Sequence, residues 1–467
     1  MWRPLSVVML ACALGALMGT ALGGQAAIRQ VSLVVTGGTV ITVDGNRRVI
    51  PTGAVAIDGT DIAAVDTADA IAKQFRGAET IDATGQLVLP GLINTHTHAP
   101  MVLYRGLADD LALADWLNSY IFPAEAKTVS PEFVRAGTRL AALEMIESGT
   151  TTFADMYYFE EEVAKETKAA GLRAVLGQTV IQFPVADAKT PADGLARAAA
   201  FITAFKDDPL ITPAVAPHAM YTLDGPTLKA ARELSRQHSV PTLIHLAETR
   251  DEIQAAQERS ALSPTTYLDS LGFLGPGVLA AHGVWVSEPE IALLRQRGVG
   301  VSHNPESNMK LASGAAPVTG YLRAGVALGL GTDGAASNND QDMFEAMRMA
   351  SFLAKLQSND PRAVNAATAL ELATMGGARA LGLDRLTGSL ERGKRADLIV
   401  VDVASARQTP MYDPVSHVVY TTRGTDVRHT VVNGRVLMRD RQVLTLDAPA
   451  ILAEAREWAA KVRAAVR

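Results

Sequence analysis

Leu89-Pro90-Gly91-Leu92-Ile93-Asn94-Thr95-His96-Thr97-His98 is an apolar run that ends in two histidines at alternate positions. In a β-strand alternate side chains share a face, so His96 and His98 present both imidazoles to one metal ion. Two ligands do not complete a site. Further along, the chain supplies His245, His282 and Asp333, each closing another short apolar run, in the order a barrel hydrolase requires.

Working outward from this stretch, apolar segments alternate with Ala-rich helical ones. Strands are predicted at 92–98, 151–156, 173–180, 212–218, 241–248, 278–284, 298–304 and 326–333, and helices fill the intervals, as at 131–148 and 226–238. Eight strands alternating with helices predict an α/β chain with a (β/α)8 TIM barrel over 86–387, in preference to an open doubly wound sheet. No Gly-x-Gly-x-x-Gly turn follows an early strand, which speaks against a nucleotide cofactor. The flanks differ in texture. Residues 27–85 and 388–446 carry short β-rich runs with Asp44-Gly45-Asn46, Asp58-Gly59 and Asn433-Gly434 as hairpin punctuation. They predict one small composite β-sandwich built from both chain ends, its first part an antiparallel sheet, and a C-terminal helix closes the chain over 447–467.

The 467 residues are 48% hydrophobic and 20% charged, enough for a large core, and the net charge of -6 offers no basic field for nucleic acid or an anionic membrane. A small, roughly neutral molecule is the expected partner, and a homo-oligomer is compatible with this composition. Residues 1–26 have the layout of a signal peptide: Arg3, an uncharged run from Leu5 to Gly23, then small residues. The protein is therefore expected to be secreted or periplasmic, without stable membrane association once the leader is cleaved. An uncleaved anchor is the alternative, since about 20 apolar residues span a bilayer. The single cysteine, Cys12, falls in this segment, so the mature chain has neither disulfide nor thiolate ligand; lipidation of Cys12 is a further option.

Barrel chemistry sits at the carboxyl ends of the strands, where His98, His218, His245, His282 and Asp333 all fall. Any one histidine is more often an ordinary hydrogen-bonded residue; the set is not. His96, His98, His245 and Asp333 are the expected ligands, a donor set suited to one divalent metal ion, Zn2+ first and Fe2+ or Mn2+ after it.

The run 89–98, with His245-Leu246-Ala247-Glu248, Ala281-His282-Gly283, Ser302-His303-Asn304-Pro305-Glu306-Ser307-Asn308 and Gly331-Thr332-Asp333-Gly334, resembles the amidohydrolase superfamily. The resemblance covers about 34–436 and is nearest to the 5-methylthioadenosine/S-adenosylhomocysteine deaminases and their atrazine chlorohydrolase-like relatives. It implies a mononuclear metal barrel in which Glu248 shuttles a proton to the ring nitrogen, His282 orients or polarises the attacking water, and Asp333 accepts its proton and passes it to the leaving amine. Chemistry agrees, because a metal lowers the pKa of bound water toward neutrality and a nearby carboxylate moves protons. Glu248 as a solvated loop carboxylate and His282 as a fourth neutral ligand stay open.

The fourth strand, 214–222, holds no lysine of the kind that dinuclear members carboxylate, which favours one metal and deamination. The resemblance also implies that Trp116 stacks on the purine side, that Glu125 accepts the ribose hydroxyls and that His218 contacts substrate, although Met220 stands where proline is usual. Trp116 as helix core, Glu125 as a surface charge and His218 as a structural histidine are the plainer options. No arginine occurs in 177–184, where relatives hold the homocysteine carboxylate. The expected activity is hydrolytic deamination of an adenosine-like substrate (5-methylthioadenosine, S-adenosylhomocysteine or adenosine) to the inosine-type product and ammonia. The rivals are a deaminase or chlorohydrolase for guanine or a triazine, and a non-catalytic periplasmic binding barrel.

Overall fold

The computed structural model describes Met1 and residues 28–466. The expected leader and Cys12 lie outside the described residues, among which no helix is long and apolar enough to cross a membrane.

Eight parallel strands pair each with the next in chain order: Leu92–Thr97, Thr150–Tyr157, Arg173–Val180, Ile211–Pro217, Thr242–Leu246, Val278–His282, Gly300–His303 and Ala327–Leu330. The eighth returns to the first through Asp333 N–H to the His96 carbonyl (2.9 Å) and Thr332 N–H to Asn94 Oδ1 (3.0 Å), closing the (β/α)8 barrel. The second and third strands are buried at every position, as strands covered on both faces by helices and barrel interior must be. Helices form where caps stand ready. Over Pro131–Ser148, the Ser130 side chain accepts from the Phe133 amide, Pro131 occupies the first turn and Gly149 ends the helix in the left-handed region. Asp224 caps Gly225–His238 in the same way.

The small domain is a sandwich of two sheets drawn from both chain ends. One has the order Asp61–Thr67, Gly53–Asp58, Arg29–Thr36, Phe75–Asp82; the other runs from Gln442–Val443 through Leu398–Asp402 and Gln86–Pro90 to Val49–Ile50. Leu33, Val55, Ile57 and Ile81 of the first pack on Val88, Leu398 and Val400 of the second.

Two expectations need correction. The first part is not a purely antiparallel sheet, because Arg29–Thr36 pairs in parallel with Phe75–Asp82, and Thr39–Ile41 with Gln86–Pro90. A short helix, Ala68–Gln74, capped by Thr67, supplies the crossover that parallel pairing needs. The sandwich also extends to Pro90, since Gln86–Pro90 pairs with Leu398–Asp402 before the chain enters the barrel.

The closing helix, Ala448–Val466, lies on the barrel helix that precedes the second strand. Glu454 takes Arg139 in a two-oxygen contact (2.7 and 2.8 Å), and Trp458 meets Phe133 edge to face at 5.4 Å.

Gly91 joins sandwich to barrel. Its amide donates to the Asp397 carbonyl at 3.0 Å, and a Cβ there would lie 2.1 Å from Thr151 Oγ1 and 2.2 Å from Thr151 Cγ2. Gly91→Ala is expected to cost about 1–3 kcal/mol, as overpacking of a filled core does. The check is the urea midpoint at unchanged slope; an unmoved midpoint would mean that Thr151 yields freely.

Candidate active site

The strand ends aim five side chains at one point. His96 lies within the first strand and His98 one residue past it, His245 is in the fifth, His282 ends the sixth, and Asp333 follows the eighth by a short turn. Ring centroids of His96, His98 and His245 stand 4.9 to 5.3 Å apart, and His282 is 5.5 Å from both His96 and His245. Asp333 Oδ1 is 3.3 Å from Nε2 of His96 and of His98. Donor atoms of His96, His98 and Asp333, and again of His96, His245 and His282, lie within 4.8 Å of one another.

The outer ring nitrogens are already engaged. His98 Nδ1 faces the Met156 carbonyl (2.7 Å), His245 Nδ1 the His218 carbonyl (2.8 Å) and His282 Nδ1 the Asn308 side-chain oxygen (2.9 Å). A carbonyl only accepts, so for His98 and His245 each Nδ1 carries the proton and each Nε2 points a lone pair inward. Those two Nε2 atoms are 3.3 Å apart, and the buried Nε2 of His96 has no hydrogen-bond partner among the described residues. Lone pairs converging on one point beside a carboxylate form a donor set for a divalent metal. Burial works against the charge on Asp333, but its contacts with Nε2 of His96 and His98 hold the carboxyl well below the usual range, and a metal ion at the same point would take the place of the protons on those Nε2 atoms.

Three of these strand ends share a backbone signature: Ala247 (φ 51°), His282 (φ 74°) and Asp333 (φ 66°) all occupy the left-handed region. Non-glycine residues adopt it at a cost of about 1–3 kcal/mol, and such strain collects at functional sites.

Glu248 belongs to this cluster and is not a solvated loop carboxylate: it is 4% exposed, with Oε2 3.7 Å from His282 Nε2 and Oε1 accepting from Ser313 Oγ at 3.4 Å. Burial pushes its carboxyl up, against the pull of His282. His282 Nε2 also sits 3.9 Å from Asp333 Oδ2, so one imidazole faces both carboxylates.

A cavity opens over the cluster, lined by His98, His245, Glu248, His282 and Asp333 at its floor and by Trp116, Glu125, Tyr157, Thr179 and His218 on its wall. Glu125 is therefore no surface charge. It sits on the helix Phe122–Thr128, 8% exposed, and accepts a 2.7 Å hydrogen bond from the Tyr157 hydroxyl; burial raises it to about 7 against that bond. Trp116 is 6% exposed and its indole N–H finds no acceptor among the described residues. His218 packs on His245 with centroids 4.7 Å apart and takes Thr222 at Nδ1 (3.0 Å); burial drives it down to about 3, so the ring is neutral.

Several supporting residues escaped the sequence reading. Ser307 Oγ donates to Asp333 Oδ2 at 2.7 Å, Asn308 holds His282, Ser313 holds Glu248 and Tyr157 holds Glu125. Ser307 and Asn308 belong to the polar run 302–308, whose concentration of hydrogen-bonding side chains just after an apolar strand was the available signal. Tyr157 and Ser313 had none.

Comparison with known proteins adds three findings. The amidohydrolase family model matches residues 87–437. A 5-methylthioadenosine/S-adenosylhomocysteine deaminase of Syntrophobacter fumaroxidans is 46% identical over 93% of this chain and 99% of its own, and a 5'-deoxyadenosine deaminase of Methanosarcina mazei is 44% identical over 94% and 100%. The crystal structure of an adenosine deaminase from Xanthomonas campestris with bound zinc superimposes with a TM-score of 0.92, at 39% identity, over 94% of this chain and 100% of that one.

Proposed function

The chain belongs to the amidohydrolase family and is a hydrolase of carbon–nitrogen bonds, and from that premise we propose that it deaminates a purine nucleoside such as 5-methylthioadenosine, 5'-deoxyadenosine or adenosine, giving the inosine-type product and ammonia. The observation that carries this reading is the cavity itself: an acid–base set of Glu248, His282 and Asp333 at the floor, with the aromatic face of Trp116 and the buried carboxylate of Glu125 on the wall. An aromatic face and a two-oxygen acceptor suit a base and a diol. The third strand ends in Gln178-Thr179-Val180 with no arginine before Pro184, which favours a substrate without an anionic tail over S-adenosylhomocysteine.

His96, His98, His245 and Asp333 would hold the metal, for which we propose zinc. When bound, a divalent metal lowers the pKa of a coordinated water toward neutrality. The residues of the chain do the rest. His282, fixed at Nδ1 by Asn308, orients the water at Nε2. Asp333 takes the proton of that water, and Glu248 gives its own to the ring nitrogen beside the carbon under attack. The new C–O bond forms, the C–N bond to the exocyclic amine breaks, the proton on Asp333 leaves with the amine as ammonia, and the hydroxyl proton left on the product oxygen passes to Glu248, giving the C=O of the product and restoring the acid. Burial of the whole set excludes bulk water from these transfers.

A location outside the cytoplasm is part of the same proposal, supported by the apolar run 5–23 with small residues after it. Cell fractionation with amino-terminal sequencing tests it: recovery in the cytoplasmic fraction would refute the location, and an intact Met1 in the membrane fraction would refute cleavage in favour of the anchored alternative.

The reaction is tested by ammonia release from zinc-loaded protein over adenosine, 5'-deoxyadenosine, 5-methylthioadenosine, S-adenosylhomocysteine, guanine and a chloro-triazine. Release is expected from the tail-free nucleosides, lost on chelation and restored by zinc. Turnover of the triazine or guanine alone would overturn the substrate, and full activity after chelation the metal.

A further inference from the structure

The catalytic Glu248 is preceded by a backbone kink. Ala247 occupies the left-handed region at φ 51°, and its carbonyl accepts from the amides of Val284 (3.0 Å) and Trp285 (2.8 Å). The two amides on either side of the kink, those of Ala247 and Glu248, point into the protein interior. Buried N–H groups need acceptors, and no strand neighbour supplies one at this point.

Glu252 supplies both. It stands in the first turn of the helix Arg250–Ser260, 4% exposed, with its own amide capped by Thr249 Oγ1 at 3.3 Å. Its Oε1 accepts from Ala247 N (3.0 Å) and its Oε2 from Glu248 N (2.9 Å). The helix cap thus sets the side chain, and the side chain sets the peptide planes that launch Glu248 toward His282 and Ser313. Two bonds to a single carboxyl group fix orientation as well as distance. A deviation of about 1 Å at a reacting group costs on the order of 100-fold in rate.

We infer that Glu252 is a positioning residue for catalysis: its carboxylate clamps the Ala247–Glu248 backbone so that the Glu248 side chain meets the ring nitrogen of the substrate. The inference rests on the deaminase reading. It predicts a loss felt by Glu248 chemistry and not by substrate or metal binding, because Glu252 contacts neither the ligand cluster nor Trp116 or Glu125.

Glu252→Gln keeps the volume but offers one acceptor where two are needed, turning an N–H donor toward a second donor. Its kcat is expected to fall about 10–100-fold with KM within about twofold and metal content unchanged. A double-mutant cycle with Glu248→Gln separates positioning from general support. In the Glu248→Gln background the same change is expected to alter kcat by less than about twofold, since the group being aimed is already lost. An equal loss in both backgrounds, or a kcat within about twofold of wild type in the single variant, overturns the clamp. Should Glu252→Gln not fold, Glu252→Asp, which keeps the charge but cannot span both amides, serves the same comparison.

A substrate-free readout keeps the two readings apart. Exchange protection of the Ala247 and Glu248 amides is expected to drop at least about tenfold in Glu252→Gln. Unchanged protection overturns the clamp even if no substrate in the panel reacts, whereas silence of the wild type with a normal loss of protection overturns the deaminase reading alone.

Discussion

Glu248→Gln is expected to lower kcat by about 10²–10⁴-fold, the range attributed to a positioned general acid or base. That loss equals about 3–5 kcal/mol of transition-state stabilisation. The substitution is nearly isosteric and Gln keeps an oxygen for Ser313, which donates to Glu248 Oε1 at 3.4 Å, so the cavity wall should hold. What disappears is an acid able to give a proton to the ring nitrogen. Metal content should match wild type, because the converging donor groups comprise His96, His98, His245, His282 and Asp333, and Glu248 faces them only through His282 at 3.7 Å. Product affinity should change little, as the interaction lost belongs to the transition state. Rate and metal content measured on one preparation decide the matter. A kcat within about threefold of wild type would remove Glu248 from the proton path, and a loss of metal would make it a ligand.

How far this arrangement was legible in the sequence depends on the length scale of the signal. The eight barrel strands were visible because each is a short stretch weighted to apolar, β-branched or aromatic residues between helical ones, and Arg173–Val180 was predicted to the residue. Late strands were overdrawn: 326–333 was expected where Ala327–Leu330 pairs, because Gly331-Thr332-Asp333 leaves the sheet to turn a carboxylate inward, and apolar character does not report that departure. The histidines that the structure brings together, His96, His98, His245 and His282, stood out because they recur at strand ends. Tyr157 and Ser313 were not, because a hydrogen bond made across the barrel leaves no periodicity in the chain. The parallel pairing of Arg29–Thr36 with Phe75–Asp82 was missed for a related reason: turn pairs such as Asp58-Gly59 announce hairpins, while a seven-residue crossover helix announces nothing about which strand it returns to.

The union of the two domains carries the largest expected effect on stability. Arg173, at the start of the third barrel strand, and Asp397, just before the sandwich strand Leu398–Asp402, form a pair whose side chains are 3% and 0% exposed. Arg173 Nε and Nη2 reach the two Asp397 oxygens at 3.0 and 3.3 Å, Nη1 donates to the Pro209 carbonyl (3.1 Å), and the Asn433 amide donates to Asp397 Oδ1 (2.7 Å). With every polar atom of the pair's facing edges engaged, removing one partner strands the other charge without water. Arg173→Met is therefore expected to destabilise by about 3–5 kcal/mol, the cost of leaving one buried charge alone. Arg173→Met combined with Asp397→Leu should recover only part of that loss, because the apolar pair leaves no lone buried charge but takes their partners from the Pro209 carbonyl and the Asn433 amide. The urea midpoint at constant slope measures both. Turnover per folded molecule should be unaltered in either variant, since the pair sits at the amino end of a strand whose opposite end, at Thr179, lines the cavity. A loss below about 1 kcal/mol for Arg173→Met would mean that water reaches Asp397 when the guanidinium is gone, and that the other contacts between the two domains suffice to hold them.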